Sequence, residues 1–145
     1  MKNNLLLLFF TTCIITLQAQ TVNTQFGQIQ GSLNGSVYQF LGIPFAKPPV
    51  GNLRWKAPEN PDSWAGVLNT TAFSPVCPQK KFDQGGINDT IIGNEDCLYL
   101  NIWSTNIKNR KPVMFWIHGG GFYTGSGSSN VCNGAKLAQK GDVVV

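Results

Sequence analysis

Apolar residues run unbroken through positions 113–117, Val-Met-Phe-Trp-Ile, between Pro112 and a His118-Gly119-Gly120-Gly121 stretch. Five apolar residues without polar alternation fit a strand covered on both faces of a sheet, although periodicity alone leaves a buried helical turn open. Leu98-Tyr99-Leu100-Asn101-Ile102-Trp103 reads as a second strand, from its β-propensity and partial alternation. Upstream, positions 22–45 read as short strands broken by glycine turns at Gly27, Gly31 and the Asn34-Gly35 pair, the last a hairpin signal. The prolines of positions 44–61 remove backbone donors and fix φ, so regular structure is not expected there. Phe45, Val50, Leu53 and Trp55 within that tract predict an ordered loop packed on a core. Positions 135–140 predict a short helix with Gly141 as its C-terminal cap. Val143-Val144-Val145 then opens another buried strand. Strand, crossover and strand of this length fit a βαβ unit in a parallel sheet, and hence an α/β fold class.

The chain has 145 residues, of which 42% are hydrophobic and 12% charged. That suffices for one domain burying roughly 68–70% of its unfolded surface. The net charge of +4 is spread thinly, with no basic block beyond Lys80-Lys81 and Arg110-Lys111, which argues against a nucleic-acid surface. Residues 1–19 read as a secretory signal peptide: Lys2 supplies the positive start, Leu5 through Leu17 the apolar core, and Ala19 a small residue at the cleavage point. The stretch is too short for a convincing membrane span. A secreted, periplasmic or extracellular location follows. Cys13 leaves with the leader, so three candidates for disulfide pairing remain, Cys77, Cys97 and Cys132, and one of them is left over or pairs outside this chain. Asn34, Asn69 and Asn88 are glycosylation sequons, relevant only in a host that glycosylates. The three valines open a strand with no closing partner, which predicts a truncated chain.

The glycine run carries the candidate chemistry. Glycine tolerates positive φ and close backbone approach, and a strand feeding such a loop presents bare N–H donors at its C-terminal edge, where ligands bind in open α/β sheets. Donors fixed in that way stabilise a developing oxyanion. A plain glycine-rich turn remains the competing reading.

Four blocks in order resemble the N-terminal part of type-B carboxylesterases, the α/β-hydrolases that include cholinesterases and neuroligins. They are Gly42-Ile43-Pro44-Phe45-Ala46-Lys47-Pro48-Pro49-Val50-Gly51 with Leu53-Arg54-Trp55, then Trp64-Ala65-Gly66-Val67, then Glu95-Asp96-Cys97-Leu98-Tyr99-Leu100-Asn101-Ile102, then positions 112–125. The resemblance implies the N-terminal part of an α/β-hydrolase fold, with antiparallel strands leading into a mainly parallel sheet, over residues 20–145. It further implies that the Gly120 and Gly121 amides form an oxyanion hole and that Tyr123 lines the substrate site, with a plain core tyrosine as the competing reading. Cys77 and Cys97 would form the family's first disulfide, leaving Cys132 a buried free thiol, and Arg54 would pair with Glu95. His118, the only histidine, would brace the loop and not act as the base. The Gly-x-Ser-x-Gly nucleophile elbow is absent from the sequence, as Gly125-Ser126-Gly127-Ser128-Ser129 lacks the closing glycine.

The resemblance implies a secreted serine carboxylesterase acting on small-molecule esters through an acyl-serine intermediate, with no cofactor, no metal and no membrane span. Positions 78–96 contain Phe82 as their only aromatic, and no Trp to hold a choline cation, so a dedicated cholinesterase is disfavoured. A neuroligin-like inactive binding domain is the alternative from another class. If the 145 residues are themselves the product, they lack a nucleophile.

Overall fold

The computed structural model describes residues 20–83 and 86–145; the expected leader at 1–19 lies outside the described residues. The described strands are β1 (Gln20–Asn23), β2 (Gln28–Asn34), β3 (Val37–Pro44), β4 (Val67–Asn69), β5 (Gln79–Asp83), β6 (Gly86–Ile92) and β7 (Tyr99–Ser104), followed by helix α1 (Ala135–Gly141). One sheet runs β1-β2-β3-β7 with antiparallel neighbours, and β4 joins β2 in parallel. β5 and β6 form a separate hairpin. Antiparallel entry strands are therefore present as expected, and the α/β-hydrolase fold class stands on the solved relatives described below.

β3 is the central strand because both its faces are apolar. Val37 and Leu41 pack with Trp103 and with Ala138 of α1. Phe40 and Ile43 pack with Ile29 on the other face, supported by Trp64, Leu100 and Ile102. A register shift between Phe40 and Ile43 lets residues an odd number apart share a face. At Gly42, where φ is +73, the amide donates to Asn101 Oδ1 at 2.9 Å instead of to the ladder.

Several local expectations are corrected. Gly31 lies inside β2 and makes no turn: a Cβ there would strike the Gln39 carbonyl and come within 2.6 Å of the Phe40 ring, so the glycine serves close packing. The hairpin turn is centred on Gly35 and Ser36, because Asn34 is already paired with Val37. Gly141 closes the helix from within, and Asp142, at φ +50, takes the left-handed cap. Asp tolerates that conformation through its short polar side chain. In the proline tract Ala46 is buried, but Phe45, Val50 and Trp55 are exposed, Trp55 lying 5.2 Å beneath the Arg54 guanidinium.

The largest departure is at 113–117. These residues are 42–79% exposed, and only Val113 makes a bridge, in parallel with Val144. Met114 donates to the Val144 carbonyl at 2.7 Å, and Val144 to the Pro112 carbonyl at 2.9 Å. Beyond Met114 no backbone ladder continues among the described residues, because no strand lies beside the chain there and no layer covers either face. The βαβ connection survives in outline: segment 112–114, crossover with α1, then the parallel bridge at Val144.

Lys111 ties the two ends of that crossover together through an ion pair with Asp142 and a hydrogen bond to Thr105 Oγ1. The Lys111 hydrogen bond and charge hold the Asp142 carboxyl below its usual 3.8. A depressed folded-state pKa adds stability above the unfolded value and loses it as pH falls through the folded one. Melting midpoints of the Asp142→Asn variant should therefore decline less than those of the parent between about pH 4 and pH 2. Asn keeps the left-handed cap, so the variant isolates the charge. Parallel pH profiles would show that the pair is energetically silent.

Candidate functional site

The glycine loop follows the exposed segment 115–118, beyond the last hydrogen bond to Val144 at Met114. Gly120 has φ +138, Gly121 +59 and Gly125 +117, and Phe122 follows at +65, uncommon for a residue with a side chain. The Gly120 carbonyl accepts from the Tyr123 amide at 3.0 Å and from the Thr124 amide at 3.2 Å, which closes a tight turn. A Cβ on Gly120 would collide with the Thr124 carbonyl, whereas one on Gly121 would meet only the Tyr123 ring at 3.8 Å. Gly120 is thus required by packing and Gly121 by its φ alone. Among the described residues, neither the Gly120 nor the Gly121 amide donates a hydrogen bond.

His118 Nδ1 lies 2.9 Å from the Gly119 carbonyl, a geometry in which the Nδ1–H tautomer donates. Its ring also closes over Gly125, where a Cβ would come 2.6 Å from Nδ1. Tyr123 is 76% exposed and so is no core tyrosine. Phe115, Ile117, Phe122 and Tyr123 are each exposed.

Cys77 and Cys97 form a disulfide with Cα atoms 5.0 Å apart, and Cys132 is a half-buried free thiol where a buried one was expected. Arg54 Nε donates to Glu95 Oε1 at 2.6 Å, with the two side chains 52% and 39% exposed. Solvent at that level makes the pair worth ~0–1 kcal/mol, not the larger sum due to a buried pair. Tyr99, pushed up to about 12 by burial and by its hydrogen bond to Asp96, donates to that carboxylate at 2.8 Å and stays protonated.

Two amide side chains that sequence reasoning missed anchor the far side of the loop. Gln79 Oε1 accepts from Thr124 Oγ1 and from the Gly125 amide, both at 2.7 Å, while its Nε2 donates to the Gly125 carbonyl at 3.0 Å. Asn101 Nδ2 donates to the Gly127 carbonyl at 3.3 Å. Asn101 had a signal, as a carboxamide inside an otherwise apolar strand needs partners. Gln79 had none, since its partner lies 46 residues away.

No group of three or more His, Cys, Asp or Glu side chains among the described residues could hold a metal ion. No helix among them is long and apolar enough to cross a membrane. A groove of about 490 Å³ lies elsewhere, between Phe26, Phe40, Trp64, Ile102 and Ile107.

A sequence profile described as "Carboxylesterase family" matches residues 18–145. The para-nitrobenzyl esterase of Bacillus subtilis (strain 168) is 45% identical over 129 residues, covering 87% of this chain and 26% of that protein. The fumonisin B1 esterase of Sphingopyxis macrogoltabida is 48% identical over 125 residues, covering 85% of this chain and 23% of that protein. Among solved structures, a carboxylesterase of Geobacillus stearothermophilus superposes with a TM-score of 0.74 at 45% identity, covering 86% of this chain and 25% of the other. The chain spans about a quarter of the length of these relatives.

The two tethers differ in expected weight. Replacing Cys77 and Cys97 with serine should cost roughly 3 kcal/mol by the chain-entropy account, whereas Arg54→Met should cost under about 1 kcal/mol. Urea unfolding of both variants checks the order; a larger loss for Arg54→Met would mean the ion pair is more shielded than its exposure indicates.

Proposed function

The chain belongs to the carboxylesterase family, and from that premise we propose that it supplies the oxyanion-binding loop of a secreted serine carboxylesterase. Its reaction converts ester and water to acid and alcohol through an acyl-serine intermediate. Residues 1–19 act as the signal peptide and residues 20–145 form the first part of the esterase domain. The observation that carries this reading is the pair of free amides at Gly120 and Gly121, held in left-handed or extended glycine geometry that other residues rarely adopt. As the substrate carbonyl becomes tetrahedral, its oxygen takes up negative charge, and preformed donors lower that barrier without reorganising. Tyr123, exposed beside the loop, lines the acyl or alcohol side of the substrate.

In this reading the serine, its histidine base and the acid orienting that histidine lie in the three quarters of the relatives' length that this chain does not span. His118 serves as a brace: its Nδ1 lies against the Gly119 carbonyl and its ring against Gly125.

The test is hydrolysis of a chromogenic short-chain ester by the protein expressed from its complete reading frame. Gly121→Ala should lower kcat by on the order of 10²–10³, well beyond the ~1–3 kcal/mol of stability that a side chain at that positive φ costs by strain. Absence of turnover in the parent would favour a binding domain of the neuroligin type. Equal losses of fold and activity in the variant would make Gly121 a packing glycine.

A further inference from the structure

We propose that Gln79 is a positioning residue for the glycine loop, transmitting the fixed geometry of the Cys77–Cys97 crosslink to the amides of Gly120 and Gly121. The inference rests on the esterase reading of that loop given above.

The carboxamide of Gln79 uses its whole hydrogen-bonding capacity. Oε1 accepts two bonds, from Thr124 Oγ1 and the Gly125 amide, and Nε2 donates two, to the Gly125 and Cys77 carbonyls, the latter at 3.0 Å. Its orientation is forced by its partners: the Gly125 N–H can only donate, and the two carbonyls can only accept. Gly125 is thereby held through both its backbone groups by one side chain. No other contact of the segment has that property among the described residues.

From Gly125 the constraint passes to the reactive amides in two short steps. The Thr124 amide donates to the Gly120 carbonyl, whose peptide contains the Gly121 N–H. On the other side, Gly125 packs against His118 and the Gly119 carbonyl so closely that a Cβ would not fit. Moving 124–125 therefore moves the 119–121 backbone. Gln79 itself sits two residues from Cys77, at the start of β5, where the disulfide limits its travel. Small displacements of oriented groups weigh heavily on rate: about 1 Å can cost on the order of 10²-fold.

The experiment uses the protein expressed from its complete reading frame, with Gln79→Leu removing all four hydrogen bonds and Gln79→Glu removing the two donations from Nε2. Rates are normalised by active-site titration with a covalent phosphonate, so that misfolded protein does not count. The expected result is a kcat reduced about 10- to 100-fold in Gln79→Leu, less in Gln79→Glu, with KM within about threefold of the parent. Amide hydrogen exchange across 120–125 should quicken in the same order. An unchanged kcat per titrated site overturns the proposal, as does unchanged exchange. If Gln79→Leu does not fold, the Gln79→Glu and Thr124→Val variants decide by the same two readings. Should the parent hydrolyse no ester, the esterase reading falls on its own, and the exchange rate of the Gly125 amide alone decides whether Gln79 anchors the loop.

Discussion

Trp103 and Val145 exchange backbone hydrogen bonds in both directions, each 3.0 Å long, and the rest of the molecule is arranged around that pair. Trp103 belongs to β7, whose other edge is bonded to β3. Val145 follows Val144, which bridges to the segment leading into the glycine loop. The antiparallel entry strands and the crossover therefore meet at one residue. The Trp103 ring also fills the space between Val37, Leu41 and Ala138, and Gly134 must lack a side chain to let it in. Its indole N–H is buried without an acceptor among the described residues. That omission costs about 1–3 kcal/mol, while burying 150–250 Å² of ring gains ~4–6 kcal/mol. Packing prevails, and the tryptophan stays inside.

Sequence patterns were legible wherever a local rule and the tertiary environment agree. Most of the run from Leu98 to Trp103 falls in β7 (Tyr99–Ser104) because both its faces are used, and Ala135 onward forms a helix because Ala138 finds a fully buried place. Legibility failed where the deciding partner is remote. Gly31 looked like punctuation, yet it answers to the Phe40 ring across the sheet. Gly141 looked like the cap, but the lysine at 111 rewards an acid one position later. Residues 113–117 carry a pattern for burial that their surroundings in this chain do not supply, so apolar composition by itself misreads their exposure.

The site divides in the same manner. The His-Gly-Gly-Gly run announces itself, because few sequences tolerate three glycines in a row without needing unusual φ values. Of the side chains that set the loop's position, Asn101 shows only as a carboxamide in an apolar strand and Gln79 is silent in the sequence. Gln79 and Asn101 act through backbone atoms of the segment they hold, and a backbone carbonyl leaves no mark on residue identity. What could be read was therefore the instrument, and what could not be read was its mounting.

That mounting lies at the base of the disulfide loop, where Gln79 opens the hairpin that the loop encloses. Beyond Gln79, the hairpin residues Phe82, Ile87, Ile91 and Ile92 are exposed. Changes of length there are cheap for the chain, about 0.6 kcal/mol for each doubling of a flexible loop. They also leave the Gln79 anchor in place. Under the role proposed for Gln79, the hairpin can be lengthened or shortened by design while the glycine loop keeps its seat.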